Sequence, residues 1–207
     1  MKPTIRFALS LIFSALLIAP PTPAYEYPLS SEAIRDAYFL GKASPEKKAE
    51  FFGKYTHHLP MPKSGPHVAW IEVETPFACV VDRVARMPLN YHAQEAEQDF
   101  LGKPGCFHVR LEIDFTATYP DPTGATAVPS DFWRNFKVHL RQRAQIPARS
   151  VRGQPIYNTK ALLGFTGATI RLDYDVSRID PAAPATVEVD TPDGQHVKTT
   201  FDLARLR

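Results

Sequence analysis

CFHVRLEIDFTATYP, residues 106–120, alternates between apolar and polar side chains almost without interruption. Apolar residues occupy the odd-numbered positions from Phe107 to Tyr119, and charged or hydroxyl residues occupy the even-numbered positions from His108 to Thr118. Successive side chains of a β-strand point to opposite faces, so this period of two predicts a strand with one buried and one solvated face. One-sided burial is typical of antiparallel sheets, because the strands of parallel sheets are covered on both faces.

The same alternation recurs later in the chain and predicts further strands. It is visible in residues 132–147 and in residues 167–177, and a hairpin is expected around Pro192–Gly194. Residues 67–85 are also assigned to one or two strands, divided at Thr75–Pro76. Seven or eight short strands at this spacing favour a mainly β fold, an antiparallel immunoglobulin-like sandwich.

Two short helices are predicted in the segment 25–63, which precedes a sandwich domain at residues 64–207. A serine can cap the first helix, and Gly41 can end it in a left-handed conformation. Ser44–Pro45 supplies an N-cap and a first helical residue for the second helix. Neither helix is long enough to be stable alone, so we expect both to pack on the sandwich. A further short helix is expected at residues 90–101.

Residues 1–24 have the layout of a secretory signal peptide. Lys2 and Arg6 precede an apolar run from Phe7 to Ala19, and small residues then lead to Ala24. An uncleaved membrane anchor is the alternative, but a helix needs roughly 20 apolar residues to cross a bilayer. The sequence therefore predicts a periplasmic or secreted protein, cleaved near Ala24 and without a transmembrane helix in the mature chain.

The charge balance argues against nucleic acid as a partner. The chain has 24 Lys and Arg residues and 22 Asp and Glu residues. Both charged side chains of the predicted signal peptide are basic, which leaves 22 charges of each sign in the mature chain. A basic patch is the usual electrostatic sign of nucleic-acid binding, and no block of like charges is present.

Cys79 and Cys106 are the two cysteines of the chain. In an oxidising compartment such a pair is expected to form a disulfide, with two free thiols as the alternative. Cys106 and His108 lie two residues apart on one strand face and resemble half of a zinc site, but no second half has comparable spacing. Motifs of serine hydrolases, zinc proteases and phosphate-binding loops are absent from the sequence, and we predict no cofactor.

Acidic residues occur in pairs, two positions apart, on several predicted strands. The pairs are Glu72/Glu74, Glu112/Asp114, Asp173/Asp175 and Glu188/Asp190. Carboxylates placed in this way on one face could hold Ca²⁺ or act as the two acids of a glycosidase. The interpretation we favour is a solvated face whose acids pair across strands with Lys137, Arg141, Arg143 and Arg171.

Aromatic residues offer one further candidate surface. Most of them are expected at the seam where the helices pack on the sheets. Trp133, beside Phe132 at the mouth of a proline-rich loop, is the aromatic residue expected to be exposed. Together with Glu112 and Asp114 it forms the candidate surface site predicted from the sequence.

Three segments of the chain resemble a group of uncharacterised secreted bacterial proteins. The segments are YEYPLSSEAIRDAYFLG (25–41), YHAQEAEQDFLGKPG (91–105) and VEVDTPDGQHVKTTFDLARLR (187–207). The group carries no assigned activity, so the resemblance implies export and no site residues. The leading expectation is an exported, non-enzymatic binding or cell-envelope-associated module with an unknown envelope or extracellular partner. The alternatives are an envelope glycan hydrolase that uses paired carboxylates and a Ca²⁺-stabilised structural domain.

Overall fold

A computed structural model of the protein describes residues 25–120, 128–157 and 165–207. Its helices are α1 (Ser31–Gly41), α2 (Pro45–Gly53), α3 (Pro76–Ala85) and α4 (Ala93–Phe100). Its strands are β1 (Thr56–His58), β2 (His67–Glu74), β3 (Phe107–Asp114), β4 (Lys137–Arg141), β5 (Gln145–Ile146), β6 (Ser150–Tyr157), β7 (Phe165–Tyr174), β8 (Ala185–Asp190) and β9 (His196–Phe201). The predicted signal peptide, its cleavage site near Ala24 and most of the proline-rich loop lie outside the described residues.

The strands form two antiparallel sheets that enclose one apolar core. The five-stranded sheet has the order β1-β2-β3-β7-β6, and the four-stranded sheet has the order β5-β4-β8-β9. The odd-numbered residues Phe107, Leu111 and Ile113 of β3 are completely buried, and they share this core with Leu140 and Val187 of the other sheet. The predicted antiparallel β-sandwich with N-terminal helices packed on it is confirmed.

The prediction that residues 67–85 are all strand was wrong in its second half. The strand ends at Glu74, and α3 begins immediately afterwards. Thr75 is the N-cap, its hydroxyl oxygen accepting a hydrogen bond from the Ala78 amide at 3.3 Å, and Pro76 occupies the first helical turn. Both are recognised helix-start signals, and they outweigh the β-branched valines that suggested a strand.

The N-terminal helices pack on the sandwich largely through α3. Ile34 and Ala37 of α1 lie with Val81 and Val84 of α3 in a second apolar cluster, which also includes residues of α4. Gly41 does not have the predicted left-handed conformation and is instead the last residue of α1. A Cβ atom at this position would lie 2.8 Å from the carbonyl oxygen of Val81, so this glycine allows α1 and α3 to approach closely.

One strand lies within the segment that was expected to be helical. β1 follows α2 directly and pairs with β2 at one edge of the five-stranded sheet. Phe51 and Phe52 of α2 contact both the sandwich core and the second apolar cluster. Within the described ranges, no helix combines the length and the apolar character that crossing a membrane requires.

A candidate anion-binding cleft

Three arginines lie side by side on the outer face of the five-stranded sheet. Arg110 of β3 is directly opposite Arg171 of β7, and Arg171 is directly opposite Arg152 of β6. Side chains in such positions have Cβ atoms about 5 Å apart, and like charges placed there are destabilising. The row therefore concentrates positive charge on three neighbouring strands, and nearby negative charge must compensate for it.

Arg110 is held by two buried carboxylates of β2. Its Nη1 donates to Glu72 Oε1 and to Glu74 Oε1, each at 3.1 Å. The side chain of Glu74 is only 1% exposed. Burial raises the pKa of Glu72 above its ordinary value, although the charge of Arg110 opposes this rise. Arg110 is thus fixed in position by the sheet itself.

Arg171 and Arg152 share a single carboxylate, that of Asp173. Arg171 Nε lies 3.1 Å from Asp173 Oδ1, and Arg152 Nη2 contacts Asp173 Oδ2. Burial alone would raise the pKa of Asp173, but the hydrogen bond from Ser150 and the two guanidinium groups outweigh it and hold this pKa below its ordinary value. One negative charge therefore compensates for two positive charges at this end of the row.

Helix α3 forms the opposite wall of a groove above this row, here called the arginine cleft. The cleft has a volume of about 390 Å³ and is lined by Asp82, Arg86, Arg110, Arg152, Gln154, Thr169 and Arg171. Arg86 follows the last residue of α3 and forms an ion pair with Asp82 one turn earlier. The side chains of Arg86 and Arg152 are 63% and 64% exposed, so their guanidinium groups can be reached from solvent.

A second cleft adjoins the first, and the disulfide forms part of its lining. It has a volume of about 460 Å³ and is lined by Glu74, Cys79, Asp82, Arg83, Arg86, Met87, Cys106, His108 and Arg171. The predicted bond between Cys79 and Cys106 is confirmed, with the two Cα atoms 6.4 Å apart. The disulfide links α3 to the chain just before β3. It therefore holds α3, which is followed by Arg86, against the sheet.

His108 lines the second cleft and lies on the same face of the sheet as the arginine row. Its Nε2 contacts Arg171 Nη2, and its Nδ1 lies 2.7 Å from Asp173 Oδ1, without the alignment of a hydrogen bond. Burial, and to a smaller extent the charge of Arg171, lowers the pKa of His108 to about 4. The imidazole is therefore neutral at pH 7 and adds no further positive charge to the row.

The three residues of the sequence-predicted surface site do not form one surface. Glu112 and Asp114 lie on the outer face of β3, opposite Trp70 and His67 of β2. Trp133 lies against the core face, where its indole ring covers Gly153 of β6. The sheet therefore separates Trp133 from both carboxylates.

The expected ion-pair partners of Glu112 and Asp114 were also wrong. Lys137 and Arg141 lie on β4 in the four-stranded sheet, and Arg143 follows them, whereas β3 is flanked by β2 and β7. Glu112 accepts a hydrogen bond from Trp70, and burial, with a smaller contribution from Asp114, raises the pKa of Glu112 above its ordinary value. Arg141 instead pairs with Glu188, at 2.9 Å.

The remaining acidic pairs have partners of their own. Asp175 lies 2.6 Å from Arg149, and Asp190 lies 2.7 Å from His196. The contact between Asp190 and His196 joins β8 to β9, and the contact between Asp175 and Arg149 lies just outside β7 and β6, so neither uses a basic residue that the solvated-face interpretation named. In the described part of the chain, one group of three potential metal ligands comes together, and it consists of Cys79, Cys106 and His108 rather than carboxylates.

The arginine row was missed by the sequence analysis, chiefly because β6 was not recognised. Gly153 and Pro155 interrupt its pattern, and both residues weaken a strand prediction. β6 is an edge strand, where a proline is tolerated because one side of the backbone needs no ladder hydrogen bond. Without β6, nothing in the sequence placed Arg152 beside Arg171.

No family model and no curated protein matches the chain. Among solved structures, one that is similar is the IgNAR antibody domain C1, at 11% identity and a TM-score of 0.34, covering 70% of this chain and 99% of that domain. Another is the archaellum periplasmic stator protein FlaG from Sulfolobus acidocaldarius, at 16% identity and a TM-score of 0.27, covering 45% of this chain and 85% of that one. Similarity at this level says nothing about function, which has to be argued from the clefts.

Proposed function

We propose that this protein is an exported binding module and that the arginine cleft binds an anionic group on an envelope or extracellular ligand. The observation that carries the proposal is the cross-strand row of Arg110, Arg171 and Arg152, with Arg86 facing it from α3. The disulfide between Cys79 and Cys106 supports export, since such bonds persist in oxidising compartments.

The chemistry of the cleft favours an oxyanion such as a phosphate or a carboxylate. A guanidinium group presents planar N–H donors that match the two oxygens of these anions. Arg152 and Arg171 share the single carboxylate of Asp173, so each retains donors that a ligand can use. A bound anion would add negative charge at the end of the row where Arg152 and Arg171 share one carboxylate.

The internal ion pairs give the cleft its preorganisation. Arg110 is fixed by Glu72 and Glu74, and Arg171 is fixed by Asp173, before any ligand arrives. Side chains that are already ordered lose less conformational entropy on binding, which increases affinity.

The same contacts support binding rather than glycoside hydrolysis. A glycosidase needs two carboxyl groups that flank an open position for the sugar. Glu72 and Glu74 are buried, and both contact the same nitrogen atom of Arg110. At least one oxygen of each carboxylate is therefore occupied within the protein.

Titration calorimetry with inorganic phosphate, pyrophosphate and citrate on the non-reduced protein tests this proposal. We expect binding of at least one of these anions, weakened roughly tenfold to hundredfold by Arg152→Gln, because a hydrogen bond to a charged group is lost. The matched control is Arg141→Gln, which removes a half-exposed, ion-paired arginine from the other sheet and should leave affinity unchanged.

Two results would contradict the proposal. The first is the absence of heat with all three anions at millimolar concentration. The second is an equal loss of affinity in the Arg152→Gln and Arg141→Gln variants, which would indicate that only the overall charge of the protein matters.

A further inference from the structure

We infer that the reduced form of this protein binds a zinc-class divalent metal ion through Cys79, Cys106 and His108. One potential ligand atom from each of these residues lies within 4.8 Å of the other two. Two thiolates and one imidazole form a donor set typical of zinc, and three protein ligands leave a fourth position open. The inference does not depend on anion binding in the arginine cleft.

The fold holds the three ligands together from different elements. Cys79 lies in α3, and the nearby residues Ala78 and Val81 of the same helix are completely buried. Cys106 immediately precedes β3, and His108 lies two positions further on, within that strand. Burial of the flanking residues should keep the ligands near one another after the sulfur–sulfur bond is broken.

A tetrahedral ion fits the spacing of the two backbones. With a metal–sulfur distance of about 2.3 Å, two thiolates of a tetrahedral site lie about 3.8 Å apart. The Cα atoms of Cys79 and Cys106 are 6.4 Å apart, so rotation of the two side chains can supply that separation without moving α3. The ligands border the 460 Å³ cleft, where a water molecule can take the fourth position.

The surroundings of His108 resemble the outer sphere of a metal site. A metal-bound histidine usually directs its second ring nitrogen to a carboxylate, which fixes the orientation of the ring. Asp173 Oδ1 is 2.7 Å from His108 Nδ1, so a small rotation of the ring would align a hydrogen bond there and leave Nε2 for the metal. Arg171 Nη2 contacts Nε2 in the disulfide form and would have to move away, while Arg171 Nε can remain with Asp173.

The disulfide and the metal site exclude each other, because they use the same sulfur atoms. Reduction by a dithiol breaks the sulfur–sulfur bond, adds two electrons and two protons to the cysteines, and converts the dithiol into its own disulfide. Metal binding then releases the two thiol protons to solvent as the thiolates coordinate the ion. Oxidation of the cysteines would expel the metal.

Cobalt titration tests the inference, since Co²⁺ reports thiolate ligation by its absorption. The protein is reduced with a phosphine, which does not compete as a thiol ligand, and is titrated with Co²⁺ in the absence of oxygen. We expect sulfur-to-cobalt charge transfer and tetrahedral d–d bands that saturate at one ion per chain and disappear when Zn²⁺ is added. The non-reduced protein should give none of these bands.

Variants separate the proposed site from adventitious binding. Cys79→Ser/Cys106→Ser should abolish the charge-transfer band, and His108→Asn and Asp173→Asn should each weaken Co²⁺ affinity by at least about tenfold. His139→Asn is the matched control, because His139 lies on β4 in the other sheet. His108→Asn and Asp173→Asn retain both cysteines and can be purified in the disulfide form, so a folding defect of Cys79→Ser/Cys106→Ser would leave the test intact.

Three outcomes would overturn the inference. One is the absence of a charge-transfer band from the reduced protein, whether or not circular dichroism shows that the reduced protein is folded. Another is a band that persists in Cys79→Ser/Cys106→Ser. The third is equal Co²⁺ affinity in His108→Asn and His139→Asn. The anion titrations use the non-reduced protein, so failure of the metal site leaves their result unaffected.

Discussion

The indole ring of Trp133 lies directly against Gly153, on the core face of the edge strand β6. A Cβ atom added at Gly153 would overlap the six-membered part of this ring. The backbone of Gly153 has an ordinary conformation, so the glycine is required here for space. Trp133 is consequently part of the packing of the sandwich.

Gly153→Ala should destabilise the protein by about 1–3 kcal/mol, because an overpacked side chain must displace the ring or the strand. The free energy of unfolding from urea titration measures the effect. Gly53→Ala is the matched control, since a Cβ atom there meets no atom within 4 Å and alanine favours the helix. Equal stability of the two variants would show that Trp133 moves aside without cost.

Arg207→Ala should destabilise the protein by about 1 kcal/mol, because two modest interactions are lost together. The guanidinium carbon of Arg207 lies 4.6 Å from the centre of the Phe77 ring, and the group also pairs with Asp36. These contacts connect α1, α3 and the residues that follow β9. Arg205→Ala is the control, because Arg205 is highly exposed and forms an ion pair with its near neighbour Asp202. Identical urea midpoints for both variants would contradict this prediction.

The stability of the native protein should fall, relative to that of Glu72→Gln, as the pH rises from 4 to 7. Burial raises the pKa of Glu72 in the folded state, so over this window the native chain holds more protons than the unfolded chain. The stabilising contribution is present below the unfolded pKa and is lost as the pH rises through the folded value. Urea unfolding of both proteins at several pH values measures the difference. A difference independent of pH would refute the assignment.

Loss of the disulfide should lower the free energy of unfolding by about 3–4 kcal/mol, as expected for closing a loop of this length. Cys79→Ser/Cys106→Ser, compared with the non-reduced native protein, measures this contribution. Intact mass should increase by two protons on reduction of the native protein. An unchanged mass would show that the cysteines were not bonded to each other.

Side-chain patterns within single segments predicted much of the sandwich, but they did not predict the arginine cleft. The alternation at residues 106–120 correctly placed Phe107, Leu111 and Ile113 in the core, since the face of a strand follows from the backbone alone. The same reasoning misassigned α3, because its buried valines satisfy a strand pattern as readily as a helical one. The N-cap and proline at Thr75–Pro76 held the information that would have corrected this error.

The sequence by itself determined the antiparallel character of the sheets and the buried face of β3, and it favoured the pairing of the two cysteines. It could not determine which strands are neighbours, since that choice depends on packing between residues far apart in the chain. Only the tertiary structure placed Arg110, Arg171 and Arg152 in one row and brought Cys79 beside His108. Both candidate sites are products of strand order and register, which side-chain periodicity within one strand does not encode.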